Sequence, residues 1–219
     1  MSARAQLVTA FVALAGSGCF PVFSPPVRGL EVGMPDRVKG GQLEVAGTLG
    51  GPIGPSTWSA HAGYGLSDEL IVEGGAQLNA FEGQWGMGFG DVRLVRSIAL
   101  SSDVRLSGDL AFGAGVGGHR NSKDSALGAS FGVFDGLGLG LRWKWLGAFV
   151  RARVEGTTGQ FSPPTLWSTL LGGLEAKVVD RFVISAAGGS MGLWNESMGW
   201  VHLWLWQVQL AVLFDMLRP

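Results

Sequence analysis

Three histidines, at 61, 119 and 202, are the residues most able to move a proton at neutral pH. His119 opens the polar stretch "HRNSKDS", where Ser122, Asp124 and Ser125 add the side-chain types of a nucleophile, base and acid set. Such a set can carry hydrolysis, so lipid hydrolysis is one function to weigh, with His61 in "SAHAG" as a second candidate. Stretches rich in Ser, Asp, Asn and Gly are, however, the ordinary make-up of exposed loops. The histidines are scattered, and no His, Cys or Asp spacing resembles a metal site. "GAGVGG" and "GLGLGL" lie inside alternating segments and not at a strand-to-helix turn, so they are not phosphate cradles. The sequence therefore assigns no catalytic residue, metal or cofactor, and the expectation is that the protein is not an enzyme.

The remaining polar chemistry is ionic. Eleven charges are expected on one set of strand faces: Glu44, Glu73, Arg93, Arg105, Asp109, Arg142, Arg151, Arg153, Glu155, Glu175 and Lys177. Arg142, Arg151 and Arg153 fall on neighbouring expected strands, and two roles fit them. They could line an anion-selective constriction, or pair with Asp109, Glu155 and Glu175 in a filled interior. The near balance of signs favours pairing, which offsets the desolvation of enclosed charge.

The elements that would carry these groups repeat with period two. In "DVRLSGDLAFGAGVGG" (103–118), Val104, Leu106, Gly108, Leu110, Phe112, Ala114 and Val116 alternate with Asp103, Arg105, Ser107, Asp109, Ala111, Gly113 and Gly115. The same two-faced alternation fills 69–79, 127–143, where only Asp135 breaks the oily stripe, and 147–155. Ten strands are expected, at about 42–49, 57–66, 69–79, 85–98, 103–117, 126–142, 146–156, 165–179, 182–193 and 200–214, though eight also fits. "GFGDVRL" suggests a bulge at Gly90–Asp91, and the phase of 182–193 is ambiguous. Tight turns near 66–70, 100–104, 143–145 and 179–182 face longer stretches at 50–56, 80–84, 117–125, 156–164 and 194–199, as in an up-and-down meander.

Composition limits what such a sheet can be. The 219 residues have a net charge of -1 and only 15% charged residues, which argues against nucleic acid as a partner. There are 37 glycines, 9 tryptophans and a single cysteine, Cys19, so no internal disulfide can form. A soluble barrel or sandwich would turn its oily stripes inward and its polar face to water. Here the face opposite the stripes carries mainly Gly, Ala and Ser, and the stripes themselves contain small residues that would pack a core poorly. Trp58, Trp85, Trp143, Trp145, Trp167, Trp194 and Trp200 sit near expected strand ends, as an aromatic girdle would. These features favour an inside-out barrel with lipid as its partner. Segment 197–214 is uncharged but interrupted by His202, Gln207 and Gln209, and its 206–214 part alternates as a strand.

Residues 1–19 combine Arg4, an apolar run from Ala5 to Ala15 and small residues before Cys19, as an export signal does. The segment resembles a bacterial lipoprotein signal, with Gly16 where Leu is usual; that resemblance implies lipidation of Cys19. Residues 20–41 hold four of the nine prolines and read as an extended linker ahead of a domain at 42–219. The signal, tight turns, Gly-rich alternating strands and aromatic final strand together resemble small bacterial outer-membrane β-barrel proteins. Phe214, followed by "DMLRP", departs from their usual terminal aromatic residue. The resemblance implies an all-β, transmembrane, up-and-down antiparallel barrel in the bacterial outer membrane, expected as a monomer. Its expected role is structural or surface-interacting, toward an extracellular partner the sequence does not identify. Alternatives are a porin-like narrow pore for small solutes, anions among them, the hydrolase above, and a soluble periplasmic β domain of a lipoprotein.

Overall fold

The computed structural model describes residues 24–28, 32–51, 57–79, 85–120, 127–160, 162–197 and 199–216, the side chains of 119, 120 and 127 excepted. The export signal and Cys19 lie outside the described residues, as do Ser122, Asp124 and Ser125.

Period-two alternation gives ten antiparallel strands: β1 (Gln42–Gly51), β2 (Thr57–Ser67), β3 (Leu70–Asn79), β4 (Trp85–Ala99), β5 (Val104–Arg120), β6 (Leu127–Trp143), β7 (Leu146–Gly159), β8 (Ser162–Val179), β9 (Phe182–Asn195) and β10 (Gly199–Asp215). Each strand pairs with its sequence neighbours, and β1 pairs with β10, so the sheet closes on itself without an edge. Closure satisfies every strand's hydrogen-bonding sides without water, which an open sheet cannot do.

Two-residue connections at 68–69, 144–145 and 180–181, with a four-residue one at 100–103, mark one mouth of the cylinder. The start of β1 and the end of β10 lie at this turn mouth. Connections 52–56, 80–84, 121–126, 160–161 and 196–198 mark the loop mouth. Strands β7 and β8 run further than expected and leave only two residues between them. Pro163 and Pro164 fall within β8, beside a register irregularity between Thr157 and Gly159, where the ladder requires no donor from them.

The bulge expected at Gly90–Asp91 is absent. Register runs unbroken from Leu70↔Leu94 to Asn79↔Trp85 on one side of β4, and from Trp85↔His119 to Ala99↔Arg105 on the other. Asp91 and Arg93 simply share one face with Trp85, Met87 and Phe89. The ambiguous strand β9 also has a definite phase: Val183, Ser185 and Ala187 are buried, whereas Ile184 and Ala186 are exposed.

The oily stripes point outward. Leu106, Leu110, Leu139 and Val150 are 41%, 47%, 54% and 51% exposed, while Arg151 between them is 5% exposed. All ten strands contribute large exposed apolar side chains, from Val45 on β1 to Phe214 on β10. The polar face forms the interior, and it is filled. Part of that filling comes from the segment read as a linker: residues 24–28 and 32–41 run inside the barrel and not ahead of it. Val27, Arg28, Val32, Met34, Asp36 and Val38 are each no more than 6% exposed. The physical reason is width. Eight strands enclose roughly the volume their own side chains fill, and ten enclose more.

Candidate functional site: the occupied lumen

The lumen segment descends from the loop mouth to the turn mouth. At the top, the Ser24 amide donates to Thr165 Oγ1 at 3.0 Å, and its carbonyl accepts from Trp167 Nε1 at 3.0 Å and Thr157 Oγ1 at 3.2 Å. Lower down, Gln77 Nε2 donates to the carbonyls of Pro26 (2.7 Å) and Val27 (3.0 Å). Glu155 Oε2 accepts from the amides of Val27 (2.7 Å) and Arg28 (3.3 Å). Arg151 Nε donates to the Gly33 carbonyl at 2.9 Å, and the Met34 amide donates to Glu175 Oε2 at 2.9 Å. The segment makes a single isolated bridge with the sheet, Gly40 to Gly65, before β1 begins. Its backbone is therefore satisfied mainly by lumen side chains, as a bound peptide's would be.

Two arginines anchor it. Arg28, 1% exposed, bonds Glu73 and Asp91, and its guanidinium lies 4.7 Å from the Phe89 ring centre. Arg37 pairs with Glu44 and lies 3.2 Å from both Glu175 Oε2 and Gln209 Oε1. Between them the chain turns at Gly33, whose φ of 122° favours glycine. Asp36 carries the acidic contact, 3.7 Å from both Arg142 and Arg105.

The wall adds its own pairs. Arg93 meets Glu73 at 2.9 Å and Asp109 at 3.6 Å; Arg151 meets Asp109 at 3.1 Å; Arg153 meets Glu155 at 2.6 Å; and Arg142 meets Glu175 at 2.6 Å. Nine of the eleven charges expected in the lumen thus share one interior network. Arg105 has the interior parity but stands at the turn mouth, its side chain 46% exposed. Lys177 corrects the expectation: it is half-exposed at the same rim and lies 3.9 Å from Asp180 in the β8–β9 turn. With Arg142, Arg151 and Arg153 each paired to a carboxylate, they do not form an open anion constriction.

The segment also completes the apolar filling. Val27 packs with Trp85, Met87, Phe89 and Phe134; Val32 and Met34 pack with Phe149, Leu171 and Leu205; Val38 packs with Ile71, Val95 and Leu213. Inward glycines make room for it. A β-carbon on Gly132 would meet Val27 Cγ2 at 2.6 Å, and one on Gly140 would meet Met34 Cε at 2.7 Å.

The girdle expectation divides. Trp58, Trp143, Trp145, Trp194 and Trp200 are 38–60% exposed on the outer surface. Trp85 and Trp167 are corrections: at 8% and 3% exposed they face the lumen, because they share parity with Met87 and Thr169.

His61 and His202 do not converge. His61 is buried, with Nε2 3.2 Å from Glu44 Oε1 and 3.1 Å from Gln209 Nε2, so it belongs to the ionic interior. His202 lies outside and stacks on Trp200 with ring centres 6.0 Å apart. No three-residue metal-binding group occurs among the described residues.

No protein-family model matches the chain, and no curated protein is similar to it. Among solved structures, it is similar to the N-terminal β-barrel domain of Pseudomonas aeruginosa OprF, with a TM-score of 0.41, 11% identity, and 80% of this chain and 98% of that one covered. It is also similar to a de novo designed transmembrane β-barrel, with a TM-score of 0.34, 15% identity and coverage of 80% and 98%. Ail, the attachment invasion locus protein of Yersinia pestis, gives a TM-score of 0.23, 12% identity and coverage of 79% and 95%.

Proposed function

We propose that this protein is an integral β-barrel of the bacterial outer membrane with a sealed interior, acting as a structural or surface-interaction element through its lipid wall and loops. One observation carries the reading. Every strand turns large apolar side chains away from the axis, while most of the charged residues on the same strands are enclosed. In water such an encircling apolar wall would drive association. In a bilayer it is the required surface, and strands of 10–18 residues meet or exceed the ~9–11 that a tilted crossing needs. Short turns at one mouth and longer loops at the other fit periplasmic and external ends respectively.

Gel mobility of the purified full-length chain in detergent, with and without boiling, tests this. Faster migration of the unboiled protein, together with recovery in the membrane fraction, is the expected result. Identical mobility with recovery in the soluble fraction overturns it and leaves the soluble β domain.

A further inference from the structure

We propose that residues 24–28 and 32–40 form a displaceable plug, and that the barrel without it is a cation-selective passage. The inference rests on the membrane-spanning reading above.

The charges on the strands do not balance by themselves. The lumen wall presents six enclosed carboxylates, on Glu44, Glu73, Asp91, Asp109, Glu155 and Glu175. It presents four guanidiniums, on Arg93, Arg142, Arg151 and Arg153. Arg28 and Arg37 of the segment supply the missing two, each seated between two wall carboxylates. Asp36, the acid among the segment's described residues, is drawn instead to the basic end of the lumen at Arg142 and Arg105. The wall is therefore built for a cationic occupant, and its own chain supplies one.

Two further observations separate this segment from an ordinary piece of core. Apart from one bridge it takes no part in the ladder, so withdrawing it leaves every strand pairing intact. In addition, the β1–β2 side of the wall carries polar groups that the segment does not use. Thr48 Oγ1 and Ser59 Oγ, on paired residues, are buried without a hydrogen-bond partner among the described residues. A wall with surplus carboxylates and unpaired hydroxyls suits hydrated cations better than anions or apolar solutes. A cleft of one sign with low-dielectric walls raises local counter-ion concentration by at least on the order of tenfold.

The test uses full-length protein in planar bilayers under a potassium chloride gradient. Wild type is expected to be silent. Arg28→Glu/Arg37→Glu sets a new carboxylate against two wall carboxylates at each anchor and should expel the segment. Its expected signature is discrete conductance steps, with potassium favoured over chloride on the order of tenfold. Arg28→Gln/Arg37→Gln, which removes attraction without adding repulsion, should give the same selectivity with less frequent opening. Anion preference overturns the proposal, as does silence from a variant whose unboiled mobility shows an intact barrel. If neither variant forms a heat-modifiable barrel, the segment is an inseparable part of the fold and the proposal is equally overturned. Wild-type mobility reports separately on the membrane reading, so the two failures are distinguishable.

Discussion

Arg37 gives the sharpest measure of how much the lumen segment contributes to the barrel. Replacing it with Met keeps much of the aliphatic volume and deletes the guanidinium. Among the described residues, Glu44 then retains only His61, at 3.2 Å, as a charged or titratable partner. Glu175 is better protected, since it keeps Arg142 at 2.6 Å, the Met34 amide at 2.9 Å and Ser185 Oγ at 3.2 Å. The loss therefore falls mainly on one orphaned carboxylate that is 2% exposed. Removing one partner of a buried pair costs about 3–5 kcal/mol, because the remaining charge stays enclosed. Arg37→Met should destabilise the barrel by that amount in urea unfolding from lipid vesicles, followed by tryptophan emission. Glu44→Gln in the Arg37→Met background should recover part of the loss, giving a coupling of about 1–3 kcal/mol in the double-mutant cycle. A single-variant loss below ~1 kcal/mol, the range of exposed pairs, would refute the assignment of Arg37 to an enclosed network, as would strict additivity.

Leu137, on the outer wall midway along β6, should tolerate Arg poorly: Leu137→Arg is expected to lower stability by about 2–4 kcal/mol in vesicle unfolding, as for a cation at bilayer mid-depth. The reverse applies to Asp135, an exposed carboxylate paired with Phe112 and Val154 on that wall; Asp135→Leu should raise stability by about 1 kcal/mol in the same assay. Gly132→Val should cost about 1–3 kcal/mol by crowding Val27, whereas Gly156→Ala, with no atom within 4 Å of the added carbon, should change stability by less than ~0.5 kcal/mol. Lipids brominated on their acyl chains should quench a single-tryptophan variant retaining Trp143 and leave one retaining Trp167 bright; equal quenching would contradict the inward placement of Trp167.

Strand number, order and facing were legible because period-two alternation reports orientation directly. Leu139 and Arg151 differ in parity with respect to their paired strands, and the barrel keeps that difference. Trp85 and Trp167 show where position misleads. Nearness to a strand end suggested the girdle, yet parity decides the face, and Trp167 shares the parity of Glu175. For Trp85, the assumed bulge at Gly90–Asp91 severed its phase from that of Arg93. Residues 24–28 and 32–41 were not legible as lumen filling, because a segment rich in Pro and Gly, bound through side chains of distant strands, has no periodicity of its own. Its mark on the sequence is indirect: inward glycines such as Gly132 and Gly140 are as small as they are because Val27 and Met34 lie against them. Asp91 was missed for the same reason as Trp85, and Arg28 and Arg37 were missed with their segment.

An even strand count returns Gln42 and Asp215 to one rim, where they pair across the seam. The chain ahead of Gln42 nevertheless passes down the axis, and at Ser24 it stands beside Ser162 at the opposite rim. Ser24 therefore stands at the opposite mouth of the cylinder from Asp215, although the strands alone would put both ends together. Biogenesis inherits a sequence of events from this geometry. The leading residues must already lie across the open sheet when the seam zips shut, or else be drawn through a finished ring.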